Sequence, residues 1–264
     1  MKIRWLFFLA IIIMLTPITV YAEQQSPMEK LDDISDEALQ MVKFQRYEDA
    51  KKLLDYFSDQ FTSINGTTKP LSMDEVRIVN TSHDEAMEAA VSANMEYEER
   101  INKLTKFRLV IDALATSHQP LWTEMEEQIM TAFHQAKEAA LNGDTAHFHT
   151  NFNTFLSLYN VIYPSMKIDV PVENIQRLDT RIDFINEFRS QIVNNSKSQQ
   201  ELDALDTDLK NLFANMEEDD ADPSLWWVII STGSIIIMTL SYVGWRKYQG
   251  DKALKKNRSR DLKD

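Results

Sequence analysis

The side chains that most often do chemistry are thinly spread here. The histidines are His83, His118, His134, His147 and His149. His147 and His149 stand two apart, which on a helix sends them to different sides and makes a poor chelating pair. His134 and Glu138 are four apart and share a face, but no third ligand accompanies them. Structural or solvent-facing places are expected for all five histidines, and no metal is expected. The chain has no cysteine, which removes disulfides, thiolate metal sites and cysteine nucleophiles together. No serine sits in a glycine-flanked strand-to-helix turn, and the sequence holds no glycine-rich phosphate loop. The acid pairs Glu98-Glu99 and Glu126-Glu127 fall on faces expected to be solvated, so no two carboxylates are singled out for work across a cleft. No catalytic residue and no cofactor is assigned. The chain is expected not to be an enzyme.

What remains is aromatic. Phe44, Tyr47, Phe57 and Phe61 lie in one stretch, and Phe148, Phe152, Phe155 and Tyr159 in another, at helical spacing. Such rings either fill a core or line a groove that takes a partner's helix. They form the candidate interaction face, and both readings stand at this point.

Helices must carry these residues. Only five glycines occur in 264 residues, and no strand-like alternation bounded by turns appears. Ser26-Pro27-Met28-Glu29 has Ser at the N-cap, Pro at the first helical position and Glu at the third, a capping box for a helix over 27–43. A short turn at Gln45-Arg46-Tyr47 leads to a second helix over 47–64, with Ala50, Leu53, Leu54, Phe57 and Phe61 on one face. Ser72 and Glu75 form another capping box, ahead of a helix expected to kink or unwind near 77–82, where β-branched residues gather. Further helices are expected over 95–115, 121–141, 145–163, 172–193 and 198–216. Asn142-Gly143-Asp144 should be a tight turn, 164–171 an irregular loop, and Ser198 with Glu201 a last capping box. A shift of 98 residues lays Tyr47 on Thr145, Ala50 on Phe148, Leu54 on Phe152, Phe57 on Phe155 and Phe61 on Tyr159. The turn QRYEDA resembles the second half of a tetratricopeptide-type hairpin. The expected fold is all-α: an extracytoplasmic multi-helix bundle or a short tetratricopeptide-like array of helical hairpins, plus one transmembrane helix.

That last element is LWWVIISTGSIIIMTLSYVGW, residues 225–245, without a charge. As a helix it spans about 31 Å, close to the hydrocarbon thickness of a bilayer. Trp226 and Trp227 at one end and Trp245 and Tyr248 at the other suit the headgroup level and are the candidate interface anchors. Ser231, Gly233 and Ser234 offer a small-residue surface through which a homodimer could form. Residues 1–22, MKIRWLFFLAIIIMLTPITVYA, read as a signal peptide, with Lys2 and Arg4 before an apolar run and Val20-Tyr21-Ala22 as its cleavage signature. Between residues 23 and 223 stand 38 acids against 18 bases, a balance of −20, while the tail after Trp245 has eight bases and three acids. A domain so acidic is a poor partner for nucleic acid. The basic tail marks the cytoplasmic side. The expected order is signal peptide 1–22, acidic extracytoplasmic helical domain 23–216, acidic linker 217–224, transmembrane helix 225–245 and cytoplasmic tail 246–264.

This layout, with FQRYEDAKKLLDYFSDQF in the acidic domain, then WWVIISTGSIIIMTLSYVGWRKY and a short basic tail, resembles the sporulation protein YpjB family of endospore-forming Bacillus-like bacteria. The resemblance runs over essentially the full length and rests on order and length. It implies a membrane-anchored protein of spore formers and supplies no catalytic or ligand residues. The expected function is non-enzymatic: a single-pass protein in the cell membrane whose external domain binds or scaffolds another envelope or membrane protein. A ligand-sensing ectodomain that signals through a membrane partner is the alternative.

Overall fold

The computed structural model describes residues 26–65, 71–116, 119–217 and 223–258. The expected signal peptide, His118 and most of the acidic linker lie outside these residues. Within them every regular element is helical. The elements are α1 (Pro27–Lys43), α2 (Tyr47–Asn65), α3 (Met73–Val91), α4 (Tyr97–Ala115), a 3-10 turn (Leu121–Met125), α5 (Glu126–Leu141), α6 (Thr145–Asp169), α7 (Val172–Glu187), α8 (Arg189–Asn194), α9 (Ser196–Glu217) and α10 (Pro223–Arg258).

Two helix starts form as the sequence predicts. Ser26 Oγ accepts from Glu29 N at 3.1 Å while the Glu29 carboxylate accepts from Ser26 N at 2.7 Å. Ser72 and Glu75 repeat the exchange at 3.1 and 2.6 Å. Each box satisfies two backbone donors that a bare helix end leaves open, worth about 1 kcal/mol. The end of α3 is closed by a side chain from the next helix. Arg100 is buried and donates to the carbonyl oxygens of Ala89, Ser92 and Met95. Its guanidinium also lies 4.6 Å from the Tyr47 ring centroid, a cation–π contact.

The two hairpin turns share one geometry. After α1 the chain turns through Gln45 at φ 57°, and after α5 through Gly143 at φ 72°, 98 residues apart. Around the first, Gln45 N donates to Val42 O at 2.9 Å and Arg46 N to Met41 O at 2.8 Å. Around the second, Gly143 N donates to Ala140 O at 3.2 Å and Asp144 N to Ala139 O at 2.9 Å. Both are helix ends in which a left-handed residue folds the last amides back on open carbonyls. The sequence shift of 98 residues is thus present in the backbone as well as in the apolar pattern.

Several boundaries depart from expectation. Helix α3 runs unbroken through Arg77–Ser82, because its apolar side is covered and packing outweighs the modest helical penalty of Val, Ile and Thr. The region expected to loop at 164–171 is mostly helix: α6 passes straight through Pro164 to Asp169. Proline there removes one amide donor and leaves the Asn160 carbonyl without its partner four residues on. Residues Leu121–Met125 wind as 3-10 rather than α. The helix expected over 172–193 is divided at Phe188. Helix α9 begins at Ser196, so Ser198 is not its cap; Glu201 accepts instead from Arg181 at 2.8 Å.

The chain separates into two units, residues 1–205 and 206–264. In the first, α1 lies against α2 and α4, α3 against α4 and α2, α5 against α6, and α6 also against α4. Leu31, Val42, Leu54, Phe57, Leu104 and Phe107 are wholly or almost wholly buried among α1–α4. Phe133, Phe148, Phe152 and Phe155 are fully buried in the α5–α6 pair. Each such side chain removed from water contributes about 1.5–3 kcal/mol. In the second unit, α10 carries the window Val228–Gly250, apolar and long enough to cross a membrane, with none of it buried.

Candidate functional site

The aromatics expected to offer an interaction face lie mostly inside. Phe57, Phe61, Phe148, Phe152, Phe155 and Tyr159 are all buried. Phe57 stacks on Phe61 at 5.8 Å and meets Phe107 edge-on at 4.8 Å. His83 completes that group, 5.6 Å from the Phe57 ring, with Nε2 3.0 Å from Leu54 O. Along α6 the rings form a ladder: Phe148–Phe152 at 5.5 Å, Phe152–Phe155 at 5.6 Å, Phe155–Tyr159 at 6.0 Å. Rings packed this way present no surface to a partner, so the groove reading is corrected to core for these six. Tyr47 is half-buried under Arg100. Phe44 is 70% exposed and is the one member of the set standing in solvent.

The aromatic ladder takes one more step to Tyr163, 5.6 Å from Tyr159, and there the structure opens. On one side a cleft of about 360 Å³ is walled by Tyr159, Asn160 and Tyr163 of α6 and by Asp179, Asp183 and Asn186 of α7. Tyr159 donates to Asp179 Oδ1 at 3.1 Å and Tyr163 to Oδ2 at 2.7 Å. Burial first, and the Asp179 charge after it, pushes the Tyr163 phenol up to about 12 and that of Tyr159 higher still. Both therefore remain hydrogen-bond donors across the physiological range. On the other side of Tyr163 a cleft of about 200 Å³ lies between α3, α4 and α6, walled by Arg77, Thr81, Glu85, Lys106, Tyr163 and Lys167. Sequence reasoning missed Tyr163, Asp179 and the three cations. The signal was the four-residue step from Tyr159 to Tyr163 and on to Lys167, whose last turn was lost when the helix was ended at Tyr163.

A polar network joins α1, α4 and α6 elsewhere. Arg108 donates to Asp32, lies 3.4 Å from Asp36, and has Asp112 at 3.8 Å. Asp112 Oδ2 accepts from Leu121 N at 2.6 Å, and Asp169 Oδ2 accepts from Trp122 Nε1 at 2.9 Å. Burial raises the Asp32 carboxyl to about 6 even with Arg108 beside it, helped by Asp112, Asp33 and Asp36. Asp169 is raised to about 6 by burial, with Asp112 adding to it and the Trp122 hydrogen bond opposing.

The remaining chemistry-bearing residues are local. His147 Nδ1 is 2.6 Å from Asp144, whose carboxylate also accepts from His147 N at the start of α6. His149 lies 3.4 Å from Arg189. Of the proposed interface anchors, Trp245 and Tyr248 are exposed on α10. Trp226 and Trp227 fall in its first turns, and their side chains lie outside the described residues.

No solved structure matches the chain. The family described as Sporulation protein YpjB (SpoYpjB) matches residues 28–257. The Bacillus subtilis (strain 168) protein named "Uncharacterized protein YpjB" is 36% identical over 239 residues, 90% of each chain. The family match runs from the first turn of α1 to the last turn of α10, and the chain belongs to the Sporulation protein YpjB family.

Proposed function

We propose that this member of a sporulation family is a single-pass membrane protein, with α1–α9 outside the cell and the basic tail in the cytoplasm. The external domain acts without catalysis, by holding another envelope or membrane protein. One observation carries the anchor: the helical span Val228–Gly250 has charges only at Arg246 and Lys247 near its end, and none of it is buried. A rod of that kind is about 34 Å long, and a bilayer is the solvent that matches both its length and its surface. Orientation follows from the eight bases and three acids after Trp245 and the excess of acid before residue 224.

The reading takes α1–α4 as a four-helix bundle, because neighbouring helices close a ring of contacts, with the α5–α6 hairpin added on α4. With six aromatics committed to the core, the surface offered to a partner is the end of α1–α4 that bears Phe44 at 70%, Val91 at 55% and Tyr97 at 40% exposure. Tyr97 donates to Lys43 O at 3.3 Å, which ties the second helix pair to the first at that end.

The absence of cysteine makes the test free of background. Lys52→Cys on exposed α2 and Lys263→Cys in the tail are made singly. On intact protoplasts a membrane-impermeant maleimide should label the first at once and the second only after permeabilisation. The opposite pattern would overturn the orientation, and equal labelling of both would overturn the anchor. A photo-crosslinker on Phe44→Cys in sporulating cells should then capture a specific membrane or wall-synthesis protein. Capture of the chain alone would count against the binding role.

A further inference from the structure

The cleft between α3, α4 and α6 gathers positive charge inside an acidic domain. Arg77, Lys106 and Lys167 reach it from three different helices, and its wall holds one carboxylate, Glu85. Glu85 is 2.8 Å from Lys106 Nζ and Asp74 is 2.6 Å from Arg77, so the cleft keeps one net positive charge, at Lys167, even with both pairs formed. The surrounding domain carries 38 acids against 18 bases, so this local excess runs opposite to its setting. Like charges brought together repel, and the arrangement is stabilised by an anion between them.

Arg77 and Lys167 are both available to such a ligand. Arg77 pairs with Asp74 at 2.6 Å, but the side chains are 73% and 78% exposed. An exposed pair of this kind is worth about 0–1 kcal/mol, so the guanidinium can exchange Asp74 for a ligand at little cost. Lys167 Nζ stands 5.2 Å from the Tyr163 ring centroid, with no carboxylate partner among the described residues. The Tyr163 wall is itself fixed from behind, through the 2.7 Å bond to Asp179. Thr81 adds a hydroxyl to the rim. Lys167 arrives here only because α6 continues past Pro164.

Size narrows the ligand class. About 200 Å³ is below the range of roughly 300–1,000 Å³ typical of sites for drug-sized molecules, so one compact group fits. We infer that this cleft binds a small phosphate-class dianion, either free in solution or carried as the monoester head of a larger molecule. Arg77 supplies two directional donors and Lys106 and Lys167 supply charge.

The test uses the full chain in detergent and follows thermal unfolding in sodium phosphate, in glycerol 3-phosphate and in sodium chloride of equal ionic strength. Phosphate should raise the unfolding midpoint by several degrees, with saturation in the low millimolar range, and chloride should not. A Arg77→Gln/Lys167→Gln double variant, altered only at exposed positions, should shift the phosphate midpoint concentration at least tenfold. Lys51→Gln/Lys52→Gln on α2 should leave it unchanged. A stronger response to inorganic phosphate assigns the free anion, and a stronger response to glycerol 3-phosphate assigns the monoester head. Equal effects of phosphate and chloride, or a double variant that responds like the native chain, would overturn the site. Either failure leaves the membrane proposal untouched, since none of these residues lies in α10.

Discussion

Arg100 carries a charge into the interior and uses it on three carbonyl oxygens at the end of α3. Replacing it with Met keeps most of the stem and removes every donor, leaving buried acceptors open at about 1–3 kcal/mol each, partly recovered by relaxation. Arg100→Met is expected to lower unfolding free energy by about 2–4 kcal/mol, and Arg100→Lys to recover only part, since an ammonium cannot fork between three carbonyls. Urea unfolding of the two variants, followed by circular dichroism, decides this; a loss under about 0.5 kcal/mol for the Met variant would sink the capping role. The sequence did not reveal Arg100, because its burial depends on where α3 stops and on what then faces the stop. The aromatics teach the complementary lesson. Spacing shows that Phe148, Phe152, Phe155 and Tyr159 share one side of a helix, but whether that side is covered is decided by how α5 packs back against it.

The matched turns after α1 and α5 place different residues in the same left-handed conformation. Gly143 adopts φ 72° freely, whereas Gln45 adopts φ 57° against the contact of its Cβ with the backbone. A Cβ at Gly143 would meet nothing within 4 Å, so the cost of Gly143→Ala is backbone strain alone, about 1 kcal/mol. Gln45→Gly should stabilise by about 0.5–1 kcal/mol. Opposite signs in thermal unfolding are the expected outcome, and equal signs would mean the two turns are not equivalent. Both turns and two of the three serine capping boxes were legible, since each is fixed by a few adjacent residues; the third, Ser198 with Glu201, falls inside α9. Pro164 was not. A proline ordinarily ends a helix, but packing of α6 on α4 and α5 outweighs one lost hydrogen bond. The basic cleft was hidden with it, because Lys167 had been assigned to a loop.

At the scale of the whole chain, Asp32 and Asp169 tie stability to pH. Both carboxyls sit at about 6 in the folded protein against 3.8 for the ordinary group. Between about pH 6 and 4 the folded state holds protons that the unfolded chain releases, so stability falls as pH rises through that window. Acidification from pH 7 to 5 should therefore raise the unfolding midpoint, by the equivalent of about 1–3 kcal/mol after allowance for solvent screening. Asp49 and Asp144, held low by Arg46 and by His147 respectively, act in the opposite sense only below the ordinary carboxylate range. The Asp32→Asn/Asp169→Asn variant should flatten the rise, and a native chain that loses stability between pH 7 and 5 would contradict the assignment. The all-helical class was legible from composition and caps, while these two carboxyls were not, because burial of a charged residue is set by neighbours distant in sequence. Helix α10 has a consequence of another kind. It is continuous for 36 residues, through Gly233, Gly244 and Gly250, and at 1.5 Å per residue it is about 54 Å long, well beyond the thickness of a hydrocarbon layer. On the single-pass reading proposed above, a helix without a break couples rotation at Val228 to rotation toward Arg258, so the segment would serve as an axle as well as a tether.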